Sequence, residues 1–291
     1  MKAPDRTLFL LTVLIWGSTW YAIKFQLGTV DPMVSVAWRF LAAGGLMLLG
    51  CRLLGVSLAL RGSEHLWVLA QGVTLFSINY ALFYVATGYL TSGLIAVLFS
   101  TMVVWNAFGA RVILKTPVPL RVVVGGIVGF CGLALLFMPD IFNIAYGPAE
   151  VGALLISVIA TLCASTGNII NARNQKAGVG LMAGNAWGML YGGLFTLALC
   201  VYWNKPLVFE MSTAYVTSFL YLVVFGSIIA FAAYTKIIRD WGAERAAFST
   251  LLFPIVALAI STVFEDYRWT LEAVLGSALV LLGNYMALRR V

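Results

Sequence analysis

The chain has 291 residues, of which 62% are hydrophobic and only 10% are charged. Soluble domains carry roughly 45–50% apolar and about 25% charged residues, so this composition excludes an ordinary soluble protein. The net charge of +7 comes from basic residues dispersed over short segments, which excludes the clustered basic face of a nucleic-acid-binding protein.

Apolar residues fall into ten blocks that are separated by short charged or Pro/Gly-containing gaps. About 20 apolar residues cross the hydrocarbon core of a bilayer, so each block predicts a transmembrane helix. The predicted spans are 7–26, 32–54, 65–86, 91–114, 120–138, 150–171, 180–202, 212–235, 243–263 and 270–288. We therefore predict an all-α integral membrane protein with ten transmembrane helices and no soluble domain.

Lysine and arginine are distributed unevenly between the two ends of these helices. Fourteen of the 18 lie at the end that carries the N-terminus, whereas only Lys205 and Arg268 lie in connections at the opposite end. Segments rich in these residues stay in the cytoplasm. We therefore predict that the N-terminus and the C-terminus are both cytoplasmic.

Two pairs of segments indicate an internal repeat. Residues 77–101 align with 227–250 through a shared tyrosine and a shared FST, and residues 125–137 align with 276–288 through two glycines. Small residues at this spacing let helices approach closely. The glycines of predicted helices 5 and 10 are therefore assigned to packing, namely Gly125, Gly129, Gly132, Gly276 and Gly283.

The repeat predicts two halves, residues 1–140 and 141–291, with five helices each. An odd number of helices inverts the second half in the membrane. Inverted repeats are typical of transporters that bind their solute near the midplane, between the two halves. Pro254 and glycines near Gly226 and Gly242 would supply bending points, which favours alternating access over a channel or receptor.

The sequence also resembles a known family. The stretches WGSTWYAIKFQL, DPMVSVAWRFLAAG and FSTLLFPIVALAISTVFEDYRWTLEAVLGSALVLLGNYMAL are similar to EamA-type members of the drug/metabolite transporter superfamily. The last stretch matches most specifically, through Pro254, Glu265 and Gly276, whereas the first half departs from the pattern at Trp105 and Lys115. The resemblance implies an exporter in the bacterial cytoplasmic membrane, most similar to exporters of aromatic and other neutral amino acids.

Polar and aromatic side chains at mid-depth, with two cations nearer the outer side, predict a substrate cavity. Trp, Tyr, Asn and Ser offer stacking surface and hydrogen bonds with little fixed charge, which suits a neutral or zwitterionic solute. The predicted substrate-binding residues are Trp16, Thr19, Lys24, Arg39, Asn79, Tyr80, Tyr84, Ser100, Ser165, Asn168, Trp187, Ser227, Tyr234 and Ser249. Alternatives stay open for each residue, because hydroxyls also bond back to their own helix and aromatic rings also form interfacial belts.

Lys24 and Arg39 are the two cations inside predicted helices, both in the outer third of the membrane. No acid is deep enough in the predicted helices to neutralise either one, and the nearest outer acid is Asp31. An unpaired intramembrane charge is a functional candidate, and its natural partner here is the carboxylate of an amino acid. The alternatives are that Lys24 snorkels to the interface and that Arg39 holds carbonyls of the first helical hairpin.

Acidic residues all fall at or beyond predicted helix ends. A proton antiporter of cationic drugs buries a carboxylate for which both ligands compete, so multidrug or cationic-compound efflux is the alternative function. The only histidine, His65, lies at a helix start, and no cluster of catalytic groups exists. We therefore predict no enzymatic activity, no metal and no cofactor.

The remaining expectations concern cysteines and partners. Cys51, Cys131, Cys163 and Cys200 lie in predicted helices without a CxxC motif, so we predict that they pack as apolar residues. The expected partners are a small-molecule substrate and the lipid bilayer, without nucleic acid. A monomer is the working expectation for the oligomeric state.

Overall fold

The computed structural model describes residues 6–113, 120–142, 147–241 and 249–288. These residues form helices and turns, with no strand among them, so the all-α prediction is confirmed for this part of the chain. A helix interrupted by a π-turn or by one residue is named here as one segment. The segments are α1 Arg6–Lys24, α2 Pro32–Leu53, α3 Gly62–Thr87, α4 Ser92–Ser100 with Met102–Ile113, α5 Leu120–Phe142, α6 Pro148–Lys176, α7 Leu181–Tyr202, α8 Thr213–Tyr221 with Leu222–Ile229 and Ala230–Trp241, α9 Ser249–Phe264 and α10 Leu271–Leu288.

Six of these segments are long and apolar enough to cross a membrane. They are α1, α2, α3, α6, α7 and α8, with spans of 18 to 29 residues. The apolar described parts of α4, α5, α9 and α10 are shorter. The structure thus supports a membrane-spanning helical bundle, while the count of ten crossings and their orientation stay predictions.

The α1–α2 hairpin is closed by local sequence signals. Gly28 has a φ of +124°, a conformation that L side chains rarely adopt, so a glycine is required at this turn. Asp31 then caps α2, because its Oδ1 accepts a hydrogen bond from the Met33 backbone nitrogen at 2.9 Å, and Pro32 occupies the first helical turn. This start sets the register of α2 and hence the position of Arg39 two turns later.

A π-helical stretch interrupts α3 at Thr74–Ile78 and α8 at Leu222–Ile229. Such stretches disturb the regular hydrogen-bond ladder and are frequent at functional sites. In α8 the hydroxyl of Ser227 donates to the carbonyl of Leu222, five residues earlier, at 3.0 Å. The two stretches lie in the third helix of each predicted half.

Helices α2 and α7 pack closely through glycines. A Cβ added to Gly44 would lie 2.6 Å from the backbone nitrogen of Leu190, and a Cβ added to Gly193 would lie 2.7 Å from that of Leu41. Both distances are shorter than real Cβ contacts, so each glycine is needed for the approach. The two contacts are related by exchanging the helices, since Gly44 and Gly193 each face the leucine near the other glycine.

Helices α5 and α10 show the same reciprocal arrangement. A Cβ on Gly132 would lie 2.7 Å from the carbonyl oxygen of Gly276, and a Cβ on Gly283 would collide with the carbonyl oxygen of Gly125. The predicted packing role of these glycines is confirmed. Gly129 differs, because a Cβ there would meet nothing within 4 Å, although its backbone lies against Gly283.

The cysteines only partly follow the prediction. Cys51 and Cys200 are buried, Cys163 is half-buried and Cys131 is exposed on α5, and all four are free thiols. The expectation of packing inside the bundle is therefore wrong for Cys131, whose side chain is exposed. Pro254 lies inside α9 as predicted, whereas Gly242 lies outside the described residues.

The α2–α7 contact can be tested with two adjacent glycines. We expect Gly44→Ala to lower the thermal unfolding temperature of the purified protein, because overpacking a close contact costs about 1–3 kcal/mol. Gly45 has no atom within 4 Å of its Cβ position, so Gly45→Ala is the matched control and should be neutral or slightly stabilising. Equal unfolding temperatures for the two variants would contradict the close approach.

Candidate functional site

Arg39 lies at the centre of a polar cluster that joins three helices. Its side chain is buried, with 1% of the residue exposed. The guanidinium donates from Nε to the Ser227 hydroxyl at 3.1 Å and from Nη1 to the Tyr84 hydroxyl at 3.3 Å. These bonds join α2 to the π-helical stretch of α8 and to α3, and they do not involve the hairpin carbonyls that the alternative interpretation required.

Two aromatic rings flank the same guanidinium. Its Cζ lies 4.8 Å from the ring centroid of Tyr80 and 5.2 Å from that of Phe40, and the two rings lie 4.6 Å apart. Aromatic faces attract a cation within about 6 Å. The surroundings of Arg39 are thus hydroxyls and rings.

An aromatic group centred on Trp16 adjoins this cluster. The Trp16 Nε1 donates to the carbonyl of Gly226 at 3.1 Å, next to Ser227, and its ring lies 5.1 Å from that of Tyr234. Thr19 packs on the other side of Gly226, and its hydroxyl bonds back to Trp16 O at 2.8 Å. A Cβ on Gly226 would meet both Thr19 and Arg39, so glycine is what lets the two groups come together.

Burial differs between the members of this cluster. Arg39, Tyr84 and Ser227 are buried, whereas Trp16, Tyr80 and Tyr234 are half-buried. These three rings keep part of their surface accessible while they pack against other aromatic or cationic side chains. A guanidinium next to such rings can bind a planar anion by hydrogen bonds and an aromatic body by stacking.

Lys24 is placed differently from the prediction. Its Nζ lies 2.6 Å from Oε1 of Glu265, whose side chain is 4% exposed, so the expectation that no acid could neutralise Lys24 was wrong. Glu265 follows the end of α9, and it also accepts hydrogen bonds from the hydroxyls of Ser92 and Ser261. Sequence reasoning counted Glu265 as a loop acid and missed that packing of α9 on α1 and α4 turns it inward.

The charge of Glu265 is stabilised by these partners. Burial alone would raise the pKa of its carboxyl, but the hydrogen bonds from Lys24, Ser261 and Ser92 outweigh burial and hold the pKa below its usual range. A second ion pair joins Lys205 to Asp31 at 2.6 Å. Each of these two ion pairs links residues of the two predicted halves.

Several predicted residues lie outside the Arg39 cluster and have partners of their own. Ser100 donates to Val97 O and accepts from Asn284, and the amide of Asn168 lies 3.1 Å from the sulfur of Met102. The Oδ1 of Asn79 is buried without a hydrogen-bond partner. Ser165 and Ser249 are buried.

Trp187 belongs to a separate aromatic group near the start of α3. Its Nε1 donates to Leu58 O at 3.0 Å, and its ring stacks on Tyr191 at 5.6 Å. The Tyr191 hydroxyl in turn lies 2.7 Å from Nδ1 of His65. Trp187 thus packs α7 against the loop before α3, and the structure does not bring it to Arg39.

A buried chain of amides was missed by sequence reasoning. Asn174 donates to Gln71 Oε1 at 3.0 Å, and Gln71 donates to Asn185 Oδ1 at 3.5 Å. The three side chains are at most 2% exposed and join α3, α6 and α7. The sequence contained a signal for this chain of amides, because amide side chains in apolar helices need hydrogen-bond partners.

The described residues contain no group of three His, Cys, Asp or Glu side chains placed to hold a metal ion.

A comparison with models of protein families identifies the kind of protein that contains the Arg39 cluster. The model of the EamA-like transporter family matches residues 7–138 and again residues 151–289. The chain belongs to this family. The family assignment makes the molecule a membrane transporter, and transport is therefore the activity to which the Arg39 cluster must be related.

Relatives that match nearly the whole length of this EamA-like transporter are consistent with the family assignment. YedA of Escherichia coli K12, described as an uncharacterized inner membrane transporter, is 29% identical and covers 94% of this chain and 89% of its own. An uncharacterized transporter of Archaeoglobus fulgidus is 25% identical, covering 96% and 97%. Protein PagO of Salmonella typhimurium is 22% identical, covering 99% and 93%. The first two names identify transporters, and none of the three names gives a transported solute.

A solved crystal structure supports the same fold. It matches the EamA-like transporter with a TM-score of 0.70 at 17% identity, covering 98% of this chain and 97% of the other. At this identity the likeness shows the fold alone.

The Lys24–Glu265 pair generates a stability prediction. We expect Glu265→Gln to cost about 1–3 kcal/mol of stability, because charge-assisted hydrogen bonds are lost and Lys24 stays without its anion. Lys24 is 32% exposed, so the loss should fall below the 3–5 kcal/mol of fully buried pairs. Thermal unfolding of the purified protein measures it.

The more exposed pair supplies the control. Asp31 is 20% exposed and asparagine also caps helices, so Asp31→Asn should have the smaller effect. Because the pKa of Glu265 is lowered, its contribution is fully present above the ordinary value of 4.5 and is lost as the pH falls through the folded-state value. A difference between wild type and Glu265→Gln that already vanishes at pH 6 would contradict the pair.

Proposed function

We propose that this transporter exports small neutral metabolites, with amino acids including aromatic ones as the favoured substrates. The observation that carries the proposal is the Arg39 cluster. It offers a guanidinium for a carboxylate and the half-buried rings of Trp16, Tyr80 and Tyr234 for an apolar or aromatic side chain. These groups come from α1, α2, α3 and α8, and therefore from both predicted halves.

We further propose that residues 1–140 and 141–291 are inverted repeats with both termini in the cytoplasm. The reciprocal glycine contacts of α2 with α7 and of α5 with α10, and the π-helical stretches in α3 and α8, support the repeat. The double match of the family model supports it as well. The excess of basic residues at one end supports the orientation.

Alternating access would then be a rocking of these halves around Arg39. The Lys24–Glu265 and Lys205–Asp31 pairs lie at the end opposite to the predicted cytoplasmic one and join the halves there. Both pairs have to separate when the transporter opens to that side. Facilitated efflux or exchange is compatible with this arrangement.

The proposed location is the bacterial cytoplasmic membrane, where the relative YedA is named as an inner membrane transporter. The proposed partners are the lipid bilayer and a small-molecule substrate, and the protein is proposed to act as a monomer. Efflux of cationic drugs is the less favoured function. Arg39 repels cations, and the two carboxylates in ion pairs, Asp31 and Glu265, are already neutralised.

Efflux of labelled phenylalanine from proteoliposomes tests the substrate and the site together. We expect Tyr234→Ala to reduce the initial rate by about two- to thirteenfold, because an aromatic contact of about 0.5–1.5 kcal/mol is removed. The matched control is Tyr285→Ala, since Tyr285 on α10 is 45% exposed and should be silent.

A pH gradient across the same vesicles separates facilitated from proton-coupled efflux, and we expect no dependence on it. Wild-type efflux that unlabelled amino acids do not compete would overturn the substrate. Equal rates for wild type, Tyr234→Ala and Tyr285→Ala would overturn the site.

A further inference from the structure

The charge on Arg39 has no acidic partner among the described residues. Its two hydrogen-bond acceptors, Ser227 and Tyr84, are neutral hydroxyls. The carboxylates of Glu265 and Asp31 are paired with Lys24 and Lys205 and not with Arg39. Removing a charge from water without an opposite charge is costly, so the site is incomplete until an anion arrives.

The groups around the Arg39 guanidinium favour a planar anion. Nε and Nη1 are engaged with hydroxyls, and the ring of Tyr80 covers one face of the guanidinium at 4.8 Å. An arginine fork binds carboxylates through parallel hydrogen bonds in its own plane. Gly226, which is next to Ser227, accepts a hydrogen bond from Trp16, and a Cβ added to it would lie 3.2 Å from Arg39 Nη2. The Trp16 ring in turn lies 5.1 Å from that of Tyr234. A carboxylate on Arg39 therefore places an attached ring near them.

The same surroundings offer little to an ammonium group. The nearest rings, Tyr80 and Phe40, already face the Arg39 cation, and a second cation beside it would be repelled. No carboxylate of the described residues contacts the cluster. An α-amino group would be tolerated only when it points away from Arg39 into hydrated space.

We infer that Arg39, Tyr80 and Tyr84 form a carboxylate subsite that does not recognise the α-ammonium group. The transporter accordingly binds small aromatic monocarboxylates with or without an amino group and discriminates against the corresponding amines. This inference rests on the proposed function in one respect, namely that the Arg39 cluster is the solute site. It extends the substrate class from amino acids to aromatic monocarboxylates.

Three probes that differ by one group each test this selectivity. Phenylalanine carries both charged groups, 3-phenylpropionate lacks the amine, and phenethylamine lacks the carboxylate. Binding to the purified wild-type protein is measured by titration calorimetry at pH 7.5. We expect 3-phenylpropionate to bind as tightly as phenylalanine or more tightly, and phenethylamine to bind at least about tenfold more weakly, which corresponds to 1.4 kcal/mol.

Variants assign the selectivity to Arg39. Arg39→Gln should weaken 3-phenylpropionate binding by at least about tenfold and should not weaken phenethylamine binding, because the repulsion between Arg39 and the ammonium group is removed. Arg52→Gln, an exposed arginine on the same helix, is the matched control and should bind all three probes like wild type. Because the probe series uses wild-type protein, the test stands even when Arg39→Gln does not fold.

The outcomes separate this inference from the proposed function. Phenethylamine binding as tightly as phenylalanine, no binding of 3-phenylpropionate, or no binding of any probe would overturn the carboxylate subsite. Binding of 3-phenylpropionate without binding or efflux of phenylalanine would support the subsite and overturn amino acid export. Phenylalanine efflux that is blocked by phenethylamine but not by 3-phenylpropionate would support amino acid export and overturn the carboxylate subsite.

Discussion

The buried guanidinium of Arg39 is the constraint on which the rest of the account depends. A cation with 1% exposure in an apolar helical bundle needs hydrogen-bond acceptors and polarisable neighbours, and the protein provides two hydroxyls and two aromatic faces. These neighbours orient the charge without cancelling it. The positive charge therefore stays available to an anion, which the proposed carboxylate subsite requires.

Local irregularities of the backbone make this arrangement fit. The π-helical stretch at Leu222–Ile229 contains both Gly226 and Ser227, so the widened turn presents a carbonyl to Trp16 and a hydroxyl to Arg39. Gly226 has no side chain between Thr19 and Arg39. Elsewhere the glycines of α2 and α7 hold regular helices at short distance. The bundle is therefore closely packed at the glycine contacts and irregular where the solute is expected.

Composition and periodicity were enough for the all-α membrane architecture, because about 20 apolar residues have few alternatives to a spanning helix. They also placed seven members of the Arg39 cluster in the predicted site, since polar and aromatic residues at mid-depth need a reason to be there. What they could not provide was tertiary pairing. The sequence suggested that Glu265 is a loop acid and that Trp187 lines the cavity. In the structure, packing of α9 on α1 brings Glu265 to Lys24, and the indole nitrogen of Trp187 donates to Leu58 O. The amides of Gln71, Asn174 and Asn185 showed their role only once three helices were brought together.

The most direct test of this account is a cryo-electron microscopy structure of the protein in a lipid nanodisc with bound phenylalanine. The account predicts carboxylate density within hydrogen-bonding distance, about 3 Å, of the Arg39 guanidinium, and ring density against Trp16 and Tyr234. Phenylalanine bound elsewhere, with Arg39 still contacting only Ser227 and Tyr84, would contradict it.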